Sequence, residues 1–406
     1  MIGDILDLLH SALNIGTLGH IDHGKTSITR AITHVWTDRH SESIKRNMTI
    51  KLGYADAIIR KCENCNAYTT EEKCSKCGSE AKPIMRISIL DSPGHETLMA
   101  TAIAASSLID GIIFAIAANE PCPMQQTREH LMIISILGIK NVIIAQTKID
   151  VVGKEKAIEH YKQIKDFIKG SIIEDAPIVP VVANLNINID VLLEKIVNMQ
   201  VPKRDLESDP LMYIARSFDI NKPGSSVQSI AGGVIGGSLA RGRIKKGDII
   251  EIRPGIKSEK TKREVYEPII TVAKELSNGT DKIEEAIPGG LIGIETEIDP
   301  TFTKADGLVG NVVGHKGKLP PVISSFTMSY KKLERKDIQE MQLAVNEPLI
   351  LGIGTSTAIG FVKKVKKSDV EIELRHPVCT EKNARVAVMR NIGKRWRLTG
   401  YGFIIG

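Results

Sequence analysis

Between residue 13 and about residue 205, short apolar runs alternate with segments of helical spacing. Buried strands are predicted over 13–18, 87–90, 112–118, 142–146 and 178–183. Helices are predicted over 27–36, 96–108, 125–137, 154–168 and 190–198. This alternation implies a mostly parallel sheet with helices on both faces, with ligands held beyond the carboxyl ends of the strands. The texture changes around Val201 to Pro210. From Leu211 on, β-rich runs are punctuated by turn signals such as Pro223-Gly224, Gly247-Asp248 and Pro288-Gly289-Gly290. That spacing suggests barrels or sandwiches. A second boundary falls near Lys318 to Pro321, so the domains are expected at 1–207, 208–320 and 321–406. Residues 1–13 read as a short amphipathic helix. Asp4, Asp7 and the lack of a basic start make them a poor secretory signal.

Composition narrows this picture. The 406 residues suffice for about two or three domains. Aromatics are only 4%, so the cores must rest on Ile, Val, Leu and Ala. A formal charge of +6 is compatible with nucleic acid without being diagnostic of it. No apolar run reaches the roughly 18–20 residues that span a bilayer. Four of the six cysteines sit in one tight cluster. Without an export signal, that favours a metal over disulfides and a cytoplasmic location.

The densest chemistry lies in Gly19-His20-Ile21-Asp22-His23-Gly24-Lys25-Thr26, followed by Ser27. A Gly, four residues, then Gly-Lys-Thr between a strand and a helix is a phosphate-cradling loop. Lys25 can reach the outer phosphates, and the Thr26 hydroxyl can hold magnesium. Asp91-Ser92-Pro93-Gly94-His95 follows the second strand. An aspartate there can orient magnesium, Gly94 can bring its N–H to a terminal phosphate, and His95 can position a water. Thr49, between the two motifs, is a candidate to complete the magnesium shell. Thr147-Lys148-Ile149-Asp150 ends another strand. Asp150 can accept both N–H groups of the guanine edge, which adenine cannot offer, and Lys148 can lie along the base. Cys62-x-x-Cys65 and Cys74-x-x-Cys77, eight residues apart, can close a tetrahedron around zinc. Basic clusters at 363–367 and 394–397 suit either RNA phosphates or a solvated strand face.

Together these stretches resemble the translational GTPases, and within them the gamma subunits of archaeal and eukaryotic initiation factor two. The marks cover nearly the whole chain: GHIDHGKT, MTIKLGYA with the cysteines after it, DSPGHETLMATAIA, AANEPCPMQQTREHL, RSFDINKPG, GGVIGGSL, HPVCTEK and RWRLTGYG. The resemblance implies an α/β P-loop GTPase domain followed by two β-barrel domains. It implies GTP or GDP, magnesium and zinc as ligands. It implies delivery of initiator methionyl-tRNA to the small ribosomal subunit, together with alpha and beta subunits and a GTPase-activating partner, and no membrane. By position it puts Gly19, Asp22, His23, Gly24, Lys25, Thr26, Ser27 and Gly94 around the phosphates. Asp22, Thr26, Thr49 and Asp91 fall at the magnesium, and His95 at the attacking water. Thr147, Lys148, Asp150 and Ala183 fall at the base, and Tyr54 at the initiator-tRNA pocket.

The chain departs from the family in three places. Thr147 stands where the family has Asn, and Val182-Ala183-Asn184 where it usually reads Ser-Ala-Leu. Asn47 stands where many archaeal members have Gly. Two other readings share part of the pattern: the GTPase subunit of a sulfate-activating enzyme, and a nucleotide-responsive scaffold with little hydrolysis.

Overall fold

The structure, a computed structural model, describes residues 8, 10–37, 53–92, 108–221, 231–260, 263–279, 281–333, 342–393 and 395–406. Thr49, Gly94, His95 and the helix expected over 96–108, apart from Leu108, lie outside them. The chain divides into two compact units, which meet in sequence at Lys203 and Arg204.

The first unit is built on one seven-stranded sheet. Its strands are β1 (Leu13–Leu18), β2 (Gly53–Cys62), β3 (Tyr68–Thr69), β4 (Ala81–Asp91), β5 (Gly111–Ala117), β6 (Val142–Thr147) and β7 (Ile178–Pro180). They lie in the order β3-β2-β4-β1-β5-β6-β7. β1, β5 and β6 are buried at every position. Burial at every position, the few polar residues included, belongs to central strands covered on both faces. The pairs β1–β4, β1–β5, β5–β6 and β6–β7 are parallel, whereas β2 runs antiparallel to β4. β2 was not expected from the sequence. Its burial alternates along GYADAIIRKC, so Asp56, Arg60 and Lys61 break up the apolar signal of a strand covered on one face.

The helices are α1 (Lys25–Thr33), α2 (Gln125–Leu137), α3 (Lys154–Ile168) and α4 (Ile189–Val197). α2 and α3 keep their expected bounds. α1 starts two residues early, because Gly24 is its N-cap, and it stops where His34 turns left-handed at φ 60. β7 is shorter than expected. Beyond it Val182 bridges to Ile187, and Ala183–Leu185 form a 3-10 turn. Of residues 1–13, Leu8 is helical and Leu13 already belongs to β1. Ile15, Ile28, Ile89, Ile113, Ile143 and Leu192 share one core.

The second unit is all-antiparallel in its strand pairing. Eight strands between Leu211 and His315 form one sheet around Met212, Ile235, Ile250, Leu276, Ile294 and Val313. Six strands from Val322 to Ile404 close into a barrel around Met328, Leu349, Leu351, Ile372 and Val388. Within this unit Arg241 donates to both carboxylate oxygens of Glu381, at 2.6 and 3.1 Å. No described helix is long and apolar enough to cross a membrane.

Candidate functional site: a phosphate loop and a cysteine knuckle

The loop between β1 and α1 is held against β5. A Cβ on Gly19, at φ 144, would lie 2.3 Å from the Ala115 carbonyl oxygen, so only glycine lets the backbone approach so closely. His23 is buried. Its Nδ1 faces the Ala115 carbonyl at 3.2 Å, and its Nε2 faces Glu120 Oε2 at 3.0 Å. Burial lowers its pKa, against the pull of Glu120. Gln126 reaches the His20 ring. No side chain caps the start of α1, a geometry that suits an anion at the helix N-terminus.

Lys25 is buried and donates to the Gly19 and His20 carbonyls, at 2.9 and 2.8 Å. An ammonium has three donors, so two ties aim the side chain and, among the described residues, the third is unused. Burial draws its pKa down to about 8, while Asp91 and Asp22 hold it up. Asp22 is exposed at the loop, with φ 60. Ser27 follows in the first turn of α1. Asp91 ends β4 directly opposite Thr17 of β1 and is fully buried. The Thr26 hydroxyl donates to Asp91 Oδ2 at 2.7 Å. The two phosphate motifs therefore meet.

At the end of the sheet expected to meet a base, Thr147 closes β6 and its hydroxyl donates to the His23 carbonyl at 2.8 Å. The shorter residue thus keeps a tie between base motif and phosphate loop, although it lacks an amide to offer a base. Lys148 takes φ 56, and Asp150 stands exposed two residues on. The 3-10 turn carrying Ala183 packs against α1. Tyr54 pairs with Leu90 in the β2–β4 ladder, one step from the Gly53–Asp91 pair.

The cysteines form a second site at the end of β2. The Sγ atoms of Cys62, Cys65, Cys74 and Cys77 all lie within 4.8 Å of one another. Two pairs approach to 3.4 Å, Cys62 with Cys77 and Cys65 with Cys74. A Zn–S distance of about 2.3 Å puts tetrahedral sulfurs about 3.8 Å apart.

The comparisons with known proteins agree with this geometry. Residues 10–202 match the elongation factor Tu GTP binding domain, and residues 324–404 match the C-terminal domain of initiation factor eIF2 gamma. The chain is 50% identical over 401 residues to the translation initiation factor 2 subunit gamma of Archaeoglobus fulgidus, covering 97% of this chain and 94% of the relative. It is 52% identical over 398 residues to the protein of that name from Pyrococcus horikoshii, covering 97% of each. The chain belongs to the translation initiation factor 2 subunit gamma family.

Among solved structures, elongation factor SelB from Methanococcus maripaludis with a GTP analogue has a similar fold. Its TM-score is 0.73 at 22% identity, over 98% of this chain and 79% of that one. A bacterial selenocysteine-specific elongation factor gives 0.74 at 22% identity, covering 97% of this chain and 58% of the other. The family name is that of one subunit of a multi-subunit initiation factor. The protein is a GTPase that uses GTP and GDP with magnesium. The sulfate-activating and scaffold readings are left without support.

The donor sets fit these ligands. A buried ammonium and an uncapped helix start suit phosphates. Hydroxyl and carboxylate oxygens suit magnesium, and four crowded sulfurs suit zinc. We expect tightly bound zinc, at about one ion per chain, with chelation freeing four thiols and loosening the 62–77 insert. Elemental analysis that finds no zinc, with all four thiols freely titratable, would contradict this.

Sequence reasoning missed several residues here. Thr17 is an unremarked threonine inside an apolar run, and Thr37 lies beyond the helix; both donate to Asp91. His130 and Thr127 lie on one face of α2. The Thr127 hydroxyl is buried without a hydrogen-bond partner among the described residues, and the buried His130 ring lies against the Gly19 backbone. Burial, with Lys25 and the two loop histidines nearby, pushes His130 down to about 3, so its imidazole stays neutral. The QTREHL stretch marked this helix without indicating which side chains face the loop.

Proposed function

We propose that this chain is the GTP-binding subunit of a heterotrimeric initiation factor that delivers initiator methionyl-tRNA to the small ribosomal subunit. Its GTP is hydrolysed on start-site selection. The observation that carries this reading is the convergence of Lys25, Thr26 and Asp91 at one end of the sheet, in a chain related to that family along nearly its whole length. The domain division at 207 and 320 belongs to the same reading.

In it, Gly19, Asp22, His23, Gly24, Lys25, Thr26 and Ser27 hold the phosphates, and Gly94 offers its N–H to the terminal one. Lys148 and Asp150, with Thr147 and Ala183, hold guanine. Asp22, Thr26, Thr49 and Asp91 would hold magnesium, which when bound neutralises charge on the phosphate oxygens. His95 orients the attacking water, since phosphoryl transfer depends mainly on positioning and charge stabilisation. Tyr54 contributes to the initiator-tRNA pocket. The alpha and beta subunits complete the factor, and an activating partner raises a slow intrinsic turnover.

The test is binding of charged initiator tRNA by the assembled factor. GTP should be required, and GDP should not replace it. A factor that ignores the tRNA in both states overturns the reading. His95→Ala should lower the partner-stimulated single-turnover rate by about 10²-fold, in the range of a lost positioning group, with GTP affinity nearly unchanged. Hydrolysis at the wild-type rate would remove His95 from the mechanism.

A further inference from the structure

Three threonine hydroxyls converge on one buried carboxylate. Thr17 Oγ1 donates to Asp91 Oδ1 at 2.8 Å. Thr26 and Thr37 both donate to Oδ2, at 2.7 and 2.8 Å. Thr17 belongs to β1 and Thr26 to the first turn of α1, where their places follow from the sheet and the phosphate loop. Thr37 has no such reason to be there. It lies four residues past the end of α1, on the chain leaving the helix. Gly53, the β2 partner of Asp91, closes over it: a Cβ on Gly53 would lie 2.6 Å from Thr37 Cβ.

A carboxylate offers about four lone-pair sites. The three hydroxyls fill both sites on Oδ2 and one on Oδ1. Among the described residues, one acceptor site, on Oδ1, is left, where a water of a metal's shell could donate. Thr26 can keep donating its hydrogen to Oδ2 while its own lone pair serves a cation, because a hydroxyl has one donor and two acceptor sites. Thr37 contributes only the donor. It fills the last place on Oδ2 and so sets which oxygen of Asp91 stays open.

We infer that Thr37 is a positioning residue of the magnesium site, which orients the Asp91 carboxylate by occupying Oδ2. The inference rests on the nucleotide-site reading above. It also ties the chain leaving α1 to the motif at the end of β4. The hydroxyl as a donor to Asp91, rather than the packing of Thr37 against Gly53, carries the effect.

The test is release of a fluorescently labelled GDP from the full chain as free magnesium is lowered with a chelator. Thr37→Val keeps the shape and removes the donor. It should raise the magnesium concentration at half-release about tenfold, the worth of one hydrogen bond to a charged group. Thr37→Ser should stay within about twofold of wild type, since its donor remains. An unchanged midpoint in Thr37→Val overturns the inference. So does a Thr37→Ser variant as impaired as Thr37→Val, because the role would then be packing against Gly53. A wild-type chain whose GDP release ignores magnesium overturns the nucleotide-site reading itself, and this inference with it.

Discussion

Lys25→Ala should weaken GDP and GTP binding by roughly 10³-fold, the cost of about 4 kcal/mol for a lost charge-assisted phosphate contact together with two loop ties. The side chain is doubly committed here. It holds the Gly19 and His20 carbonyls and keeps one donor for a phosphate. Removing it leaves those two carbonyls without their ammonium and takes the one buried cation from the loop. Lys25→Arg should not restore binding, because a planar guanidinium differs in shape and reach from a compact ammonium that donates to both carbonyls. Equilibrium titration with labelled GDP measures the effect. Zinc content should stay at the wild-type value, since the cysteines lie on a separate insert. A loss below about tenfold would mean that the backbone cradle alone carries phosphate affinity.

Asp150→Asn should cost about 10²-fold or more in GDP affinity, because two hydrogen bonds to a carboxylate are worth about 1.5–3 kcal/mol each. Asparagine offers one acceptor and one donor edge where guanine needs two acceptors. Xanthine presents an N–H beside a carbonyl, so xanthosine diphosphate should bind the variant better than GDP does. Affinity for ADP should remain negligible in both proteins. Competition among GDP, xanthosine diphosphate and ADP for the same site reads all three. The expected size depends on the loop staying in place, which Thr147 secures through the His23 carbonyl. Equal affinity of the wild-type chain for ADP and GDP would remove Asp150 from base recognition.

Much of the first unit was legible in the sequence. β1, α2 and α3 coincide with their expected ranges because each carries a clear local pattern, a mostly apolar run for the strand and helical spacing for the others. The cysteine site was legible for a different reason: two CxxC pairs need only a short loop between them to meet. β2 was hidden because a strand covered on one face carries charges on the other. The end of α1 was misplaced because the apolar texture runs on to Trp36, whereas the helix ends at a left-handed His34 that no periodicity announces.

Local pattern dictated the phosphate loop, the buried strands around it and the types of group that could bind nucleotide and metal, because those features depend on neighbours within about ten residues. It could not dictate the surroundings of Asp91. Asp91 lies at least 54 residues from Thr17, Thr26 and Thr37 and meets them only through the parallel β1–β4 register, which sets Thr17 opposite Asp91, and through the path of the chain leaving α1. The same holds for His130 under the loop. A threonine or a histidine in an apolar stretch looks alike whether it faces a core or a carboxylate. Packing at long sequence separation chooses between them, and no local signal encodes that choice.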